Sequence, residues 1–86
     1  MGEGACCLIL EEESRAVSRG AEIYGYICGY GLSCDAGSIV SPSADGAAKA
    51  MEKALADACI LPDDICYINA HGTSTNANDI VEGQAI

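Results

Sequence analysis

Two short runs, ACCLIL at 5–10 and ICYINA at 65–70, are apolar and do not alternate with polar residues. That pattern marks strands buried on both faces, and such strands need a covering layer above and below. Between them, IYGYICGYGLSC at 23–34 alternates with period two. Tyr24, Tyr26, Cys28, Tyr30 and Leu32 share one side, and Ile23, Gly25, Ile27, Gly29 and Gly31 share the other. A side so rich in glycine predicts either the close approach of another backbone or a bulge.

Helical signals fall between these runs. EEESRAVSRG at 11–20 has acids at its start, Arg19 near its end and Gly20 as a stop, the charge order that suits a helix dipole. The triplet Glu11–Glu13 reads as a solvated helix start. AAKAMEKALADAC at 47–59 is the clearest helix: Ala47, Met51, Leu55 and Ala58 recur at helical spacing, opposite Lys49, Glu52, Lys53 and Asp57. Ser43 or Asp45 is placed to cap it, and Pro62 prevents its continuation. A last helix opens at IVEGQAI, 80–86. The order β-α-β-α-β-α predicts an α/β layered fold. A start on Gly-Glu-Gly and an end inside a helix read as a piece of a longer chain, with no complete domain in 1–86.

Composition limits what this piece can do. At 86 residues, with no Phe or Trp, any core rests on Ile, Leu, Val, Ala and Cys and is thin. Four Lys and Arg against 13 Asp and Glu give a net charge of −9. That argues against a nucleic-acid surface, which needs a basic face, and against anionic lipid. The six cysteines (6, 7, 28, 34, 59 and 66) include no C-x-x-C pair, and one histidine is too few for the usual zinc spacing; no metal site is expected. Four of them lie in strand-like stretches, so they are expected to be reduced and buried as small hydrophobes. No apolar stretch approaches the roughly 20 residues that span a bilayer.

The lone histidine, His71, stands in NAHGTST (69–75) immediately after ICYINA. Ligand sites in α/β sheets lie beyond the carboxyl ends of strands. Gly72 allows a sharp turn, and Thr73, Ser74 and Thr75 bring hydroxyls that donate and accept. A histidine is mostly neutral at pH 7, and one ring N–H can then donate to a developing oxyanion. A loop histidine satisfied by its neighbours is the plain alternative. GEGA and GYICGYG do not complete a dinucleotide-binding fingerprint. GLSCD and GTSTN lack the closing glycine of a nucleophile elbow.

Three blocks resemble the β-ketoacyl-acyl-carrier-protein synthases, members of the thiolase-like superfamily. GEGACCLILEE is similar to their GEGA…LVLEE segment, SRGAEIYGYICGYGLSCDA to RGA.IYAE..GYG.S.DA, and YINAHGTSTNANDIVEGQAI to Y.NAHGTST..ND..E..AI. The matches run in order over nearly the whole chain. The resemblance implies a thiolase-like α-β-α layered fold, of which this chain is a part of the second, C-terminal half. It implies a decarboxylating Claisen condensation, in which malonyl on acyl carrier protein loses CO₂ and the enolate attacks an acyl group held on a cysteine.

By the same resemblance His71 is the first of two catalytic histidines, holding the malonyl thioester oxygen. Thr73 and Thr75 match positions that hydrogen-bond the phosphopantetheine arm, which arrives on the acyl carrier protein; no tightly bound cofactor is implied. Asn69 shapes the strand end and Asp79 stands near the next helix start. The nucleophilic cysteine, second histidine and lysine of the family match no position here, so none of the six cysteines is assigned as nucleophile and the chain alone is expected to be inactive. The resemblance also implies a homodimer in the full-length parent and a cytoplasmic or plastid-stromal setting. Ser74 and Asn78–Asp79 look more like the fatty-acid enzymes, since modular polyketide synthases more often show HGTGT..GDP.E. A polyketide ketosynthase domain, a non-catalytic chain-length-factor-like subunit and a pseudogene or assembly fragment are the alternatives.

Overall fold

The computed structural model describes residues 2–37 and 41–86. It contains three α-helices, α1 (Glu13–Ser18), α2 (Ala44–Ala58) and α3 (Asn76–Ala85), with a 3₁₀ turn at Pro62–Asp64. The α1 helix stops as its sequence predicts. Gly20 adopts φ +69°, and the N–H groups of Gly20 and Ala21 donate back to Val17 and Ala16 carbonyls at 3.0 and 2.9 Å. The acidic triplet is not uniformly solvated. Glu11 accepts from Arg19 across the helix, Nη2 to Oε2 at 2.7 Å, and the guanidinium holds its carboxyl below the usual range. Ala16 is the sole buried apolar residue among those described.

The α2 helix begins three residues earlier than its apolar spacing suggests. Ser43 caps it, its Oγ accepting the Gly46 N–H at 3.4 Å, and Asp35 Oδ2 accepts the Ser43 N–H at 2.9 Å. At the other end Cys59 turns left-handed at φ +57°, and Pro62 follows.

The glycine-bearing side of 23–34 makes the close backbone approach that it predicted. Residues 29–35 run antiparallel along α2. A Cβ built on Gly29 would stand 2.6 Å from both Ala54 O and Ala58 N; one on Gly31 would overlap Ala50 O. Gly29 and Gly31 thus lie against the Ala50–Ala54–Ala58 stripe, at i, i+4 and i+8. Polar groups fasten the rest of the segment. The Tyr30 N–H donates to Asp57 Oδ2 at 3.1 Å, Lys53 Nζ to Leu32 O at 2.8 Å, and Ser33 Oγ to Gly46 O at 2.6 Å.

The expected β-α-β-α-β-α alternation is not seen. Among the described residues the chain is helical, and 5–10, 23–34 and 65–70 form no strand. The reason is physical: a strand exists by ladder hydrogen bonds to a neighbour, and in 29–35 the Tyr30 N–H and the Leu32 carbonyl bond instead to the Asp57 and Lys53 side chains of α2. The runs read as buried are open to solvent, with Leu8 81% and Ile9 89% exposed. The cysteines are free, as expected, but all six are exposed rather than buried. The radius of gyration is 16.3 Å, against about 12 Å for a compact domain of this length.

Candidate functional site

The α2 and α3 helices pack against each other, and the chain returns between them through 65–75. An open apolar groove of about 390 Å³ lies where Met51 and Leu55 of α2 face Ile65, Ile68 and Ile86. The loop 70–75 stands at the N-terminal end of α3 and carries His71.

Two residues of this loop are left-handed, Gly72 at φ +52° and Ser74 at φ +62°. For Gly72 the conformation is free; for Ser74 it costs about 1–2 kcal/mol. Together they reverse the chain sharply, leaving His71 exposed. The loop leads directly into α3, which starts at Asn76, earlier than the 80–86 expected. The signal for the early start is Thr75: as N-cap its Oγ1 accepts the Asn78 N–H at 3.3 Å. Asp79 falls in the first turn, where its carboxylate suits the helix dipole, and its N–H donates to Thr75 O at 2.9 Å.

The two threonines are joined, Thr73 Oγ1 to Thr75 Oγ1 at 2.9 Å. When Thr73 donates, Thr75 accepts from both Thr73 and Asn78 and its own hydroxyl proton remains for a third group. Asn69 Oδ1 accepts from the Tyr67 hydroxyl at 3.2 Å, just upstream. His71, Thr73 and Thr75 are therefore within one five-residue turn, held from both ends.

One residue of the site, matched by the glutamate of the Y.NAHGTST..ND..E..AI block, was given no role in the sequence reading. Glu82 Oε1 accepts the His71 N–H at 2.6 Å and Oε2 the Gly72 N–H at 2.9 Å. Asn78 Nδ2, one turn earlier on α3, donates to Oε2 at 3.2 Å. The Gly72 and His71 N–H groups hold the Glu82 carboxyl below the usual carboxylate range, against a smaller opposing effect of burial. Backbone amides leave no trace in a side-chain pattern; the available signal was Asn78 and Glu82 at i, i+4 on one helix face. Behind the clamp, Ala70, Asp79, Gly83 and Ile86 line an open hollow of about 230 Å³.

This chain can be set beside known proteins. Residues 24–86 match the family model for the β-ketoacyl synthase C-terminal domain. Over the whole chain it is 52% identical to 3-oxoacyl-[acyl-carrier-protein] synthase 2 of Synechocystis, covering 21% of that protein. It is 50% identical to nodulation protein E of a Rhizobium strain, covering 21%, and 48% identical to the mitochondrial 3-oxoacyl-[acyl-carrier-protein] synthase of Arabidopsis thaliana, covering 19%. Among solved structures, 86% of the chain superposes on 18% of the ishigamide ketosynthase/chain length factor, with TM-score 0.84 and 46% identity. A type II polyketide ketosynthase in complex with its acyl-carrier protein is matched with TM-score 0.78 and 38% identity, over 87% of this chain and 19% of that one. The chain spans about a fifth of the length of the relatives it matches. No helix among the described residues is long and apolar enough to cross a membrane. On these grounds the chain belongs to the β-ketoacyl synthase family, within its C-terminal domain.

Proposed function

We propose that this chain supplies the decarboxylation half of a β-ketoacyl-acyl-carrier-protein synthase site in fatty acid biosynthesis. The observation that carries the reading is loop 70–75, an exposed imidazole held at its backbone beside two hydroxyls at the head of α3. In the reaction, the C–C bond between the malonyl methylene and its carboxylate breaks and CO₂ leaves. The electron pair passes into an enolate whose oxygen carries the charge. A ring N–H of His71 donates to that oxygen. The enolate carbon then attacks an acyl thioester, and the thiolate of the acylated cysteine departs. That cysteine is not one of the six here.

Thr73 and Thr75 are proposed to steady the phosphopantetheine arm of the acyl carrier protein through the hydroxyl proton their mutual bond leaves free. The arm's amides and hydroxyls suit such a contact. The acyl carrier protein is the proposed partner, and a homodimer the proposed parent assembly. The likeness to polyketide ketosynthases supports a second reading with the same chemistry on a different carrier. The Ser74 of HGTST, and 52% identity to a 3-oxoacyl synthase, favour the first.

The test is a graft. Residues 1–86 replace the matching segment of the Synechocystis 3-oxoacyl-[acyl-carrier-protein] synthase 2, and condensation of acyl- and malonyl-acyl carrier protein is followed with a radiolabel. The graft is expected to turn over and the isolated 86-residue chain to show none, because the parts of such a site act as a unit. A folded graft without turnover sinks the reading. Turnover by the isolated chain would show that the missing residues are not needed.

A further inference from the structure

Ser74 stands between the two threonines in a conformation that side chains avoid. Its φ is +62°, in the left-handed region where a Cβ crowds the following carbonyl oxygen. Strain of this kind persists only where the surroundings impose it, and it gathers at functional sites. The Ser74 side chain is exposed. Among the described residues, the hydrogen bonds of the loop run through His71, Gly72, Thr73 and Thr75 and not through the Ser74 hydroxyl.

The bend has one visible product. Along an extended chain, residues i and i+2 stand roughly 6.5 Å apart. Thr75 is itself extended, at φ −99° and ψ 138°, yet its Oγ1 lies 2.9 Å from Thr73 Oγ1. The left-handed turn at Ser74 shortens that step. Thr75 is fixed in turn to α3, since its Oγ1 accepts the Asn78 N–H at 3.3 Å. The hydroxyl pair is thus placed by a backbone turn at one residue and a helix cap at the next.

We propose that Ser74 is a positioning residue for substrate capture: its left-handed backbone, and not its hydroxyl, draws Thr73 and Thr75 into a single preformed contact for the pantetheine arm. The inference rests on the role proposed above for the two threonines. Ser74 itself touches no substrate. A preformed pair offers its free hydroxyl proton without first ordering two side chains, which lowers the entropy lost on binding.

A crossed set of variants in the grafted synthase separates backbone from hydroxyl. Ser74→Thr keeps the hydroxyl, but a β-branched residue is a true outlier at positive φ. Ser74→Gly removes the hydroxyl and enters the left-handed region freely. The outwardly conservative change is therefore the damaging one. Ser74→Thr is expected to raise the KM for malonyl-acyl carrier protein by about 10-fold, the worth of one or two ordinary hydrogen bonds. Its kcat should stay within about 3-fold, because a contact to the arm is made equally in ground and transition states. Ser74→Gly should keep KM within about 3-fold, as should Ser74→Asn, whose side chain also tolerates this region. The malonyl thioester of ethanethiol has no pantetheine arm, so its kcat/KM should agree within about 2-fold across all three variants.

A Ser74→Thr graft of unchanged KM would overturn the proposal, as would one that loses the armless thioester equally. So would a KM raised in Ser74→Gly or Ser74→Asn as far as in Ser74→Thr. Where Ser74→Thr does not fold, the other two decide: an unmutated KM in both supports the proposal, and a raised KM in either overturns it. Thr73→Val controls the underlying reading. If it leaves the KM for malonyl-acyl carrier protein unchanged, the threonines do not hold the arm and both inferences fall. If it raises KM and Ser74→Thr does not, only the role of Ser74 falls.

Discussion

Replacing His71 by alanine in the grafted synthase is expected to slow CO₂ release from malonyl-acyl carrier protein by about 100- to 1000-fold, the usual cost of one lost oxyanion donor. Acyl loading should be unchanged to within about 2-fold, because no malonyl enolate forms in that step. The size follows from where the charge goes. In the ground state the malonyl thioester oxygen is nearly neutral and a hydrogen bond to it is modest. As the carboxylate leaves, the oxygen becomes an enolate, and the same bond becomes charge-assisted and much stronger. Only that difference lowers the barrier. His71→Ala should therefore reduce kcat rather than raise KM. A variant that kept more than about a tenth of the unmutated rate would show that the oxyanion is held elsewhere.

What could be read from the residues, and what could not, divides along the range of the interactions. The stop of α1 at Gly20 and the cap of α2 at Ser43 depend on neighbours within a few positions, and both were legible. So was the approach of a backbone to Gly29 and Gly31, because an alternating glycine side has few other uses. Strand formation by 5–10 and 65–70 is not confirmed among the described residues. Their apolar runs state a need for neighbours on both edges and both faces, but a run cannot supply the neighbour. With none pairing to them, Leu8 and Ile9 stay in solvent, and Cys6, Cys7, Cys28 and Cys66 stay there too. The site shows the same division. His71 was singled out from its place and its motif. Thr75, read for a ligand alone, also holds the helix start. Glu82 was matched by the motif but given no role, because its partners are peptide N–H groups, which every residue but proline owns.

The largest stability effect is expected where a glycine lies tightest against helix backbone, at Gly31. A methyl group there would overlap the Ala50 carbonyl oxygen and stand 2.7 Å from Ala54 N. Both are helix backbone and cannot swing aside as a side chain would. Overpacking of this kind costs about 1–3 kcal/mol, and the rigid partner puts Gly31→Ala toward the upper end. Alanine also restricts the unfolded chain, which returns about 0.4–1 kcal/mol. The clash is the larger of the two, so the grafted enzyme should lose about 2 kcal/mol, read from the denaturant midpoint at unchanged slope. The origin of the loss is separable from ordinary side-chain crowding by a double-mutant cycle. Ala50→Gly removes the neighbouring methyl but not the offending oxygen. It should cost about 1 kcal/mol of helix propensity by itself and leave the Gly31→Ala penalty in place, with coupling under about 0.5 kcal/mol. Rescue by Ala50→Gly would mean that methyls, not backbone, set the distance between the glycine segment and α2, and a stable Gly31→Ala enzyme would mean that the segment does not lie on the helix at all.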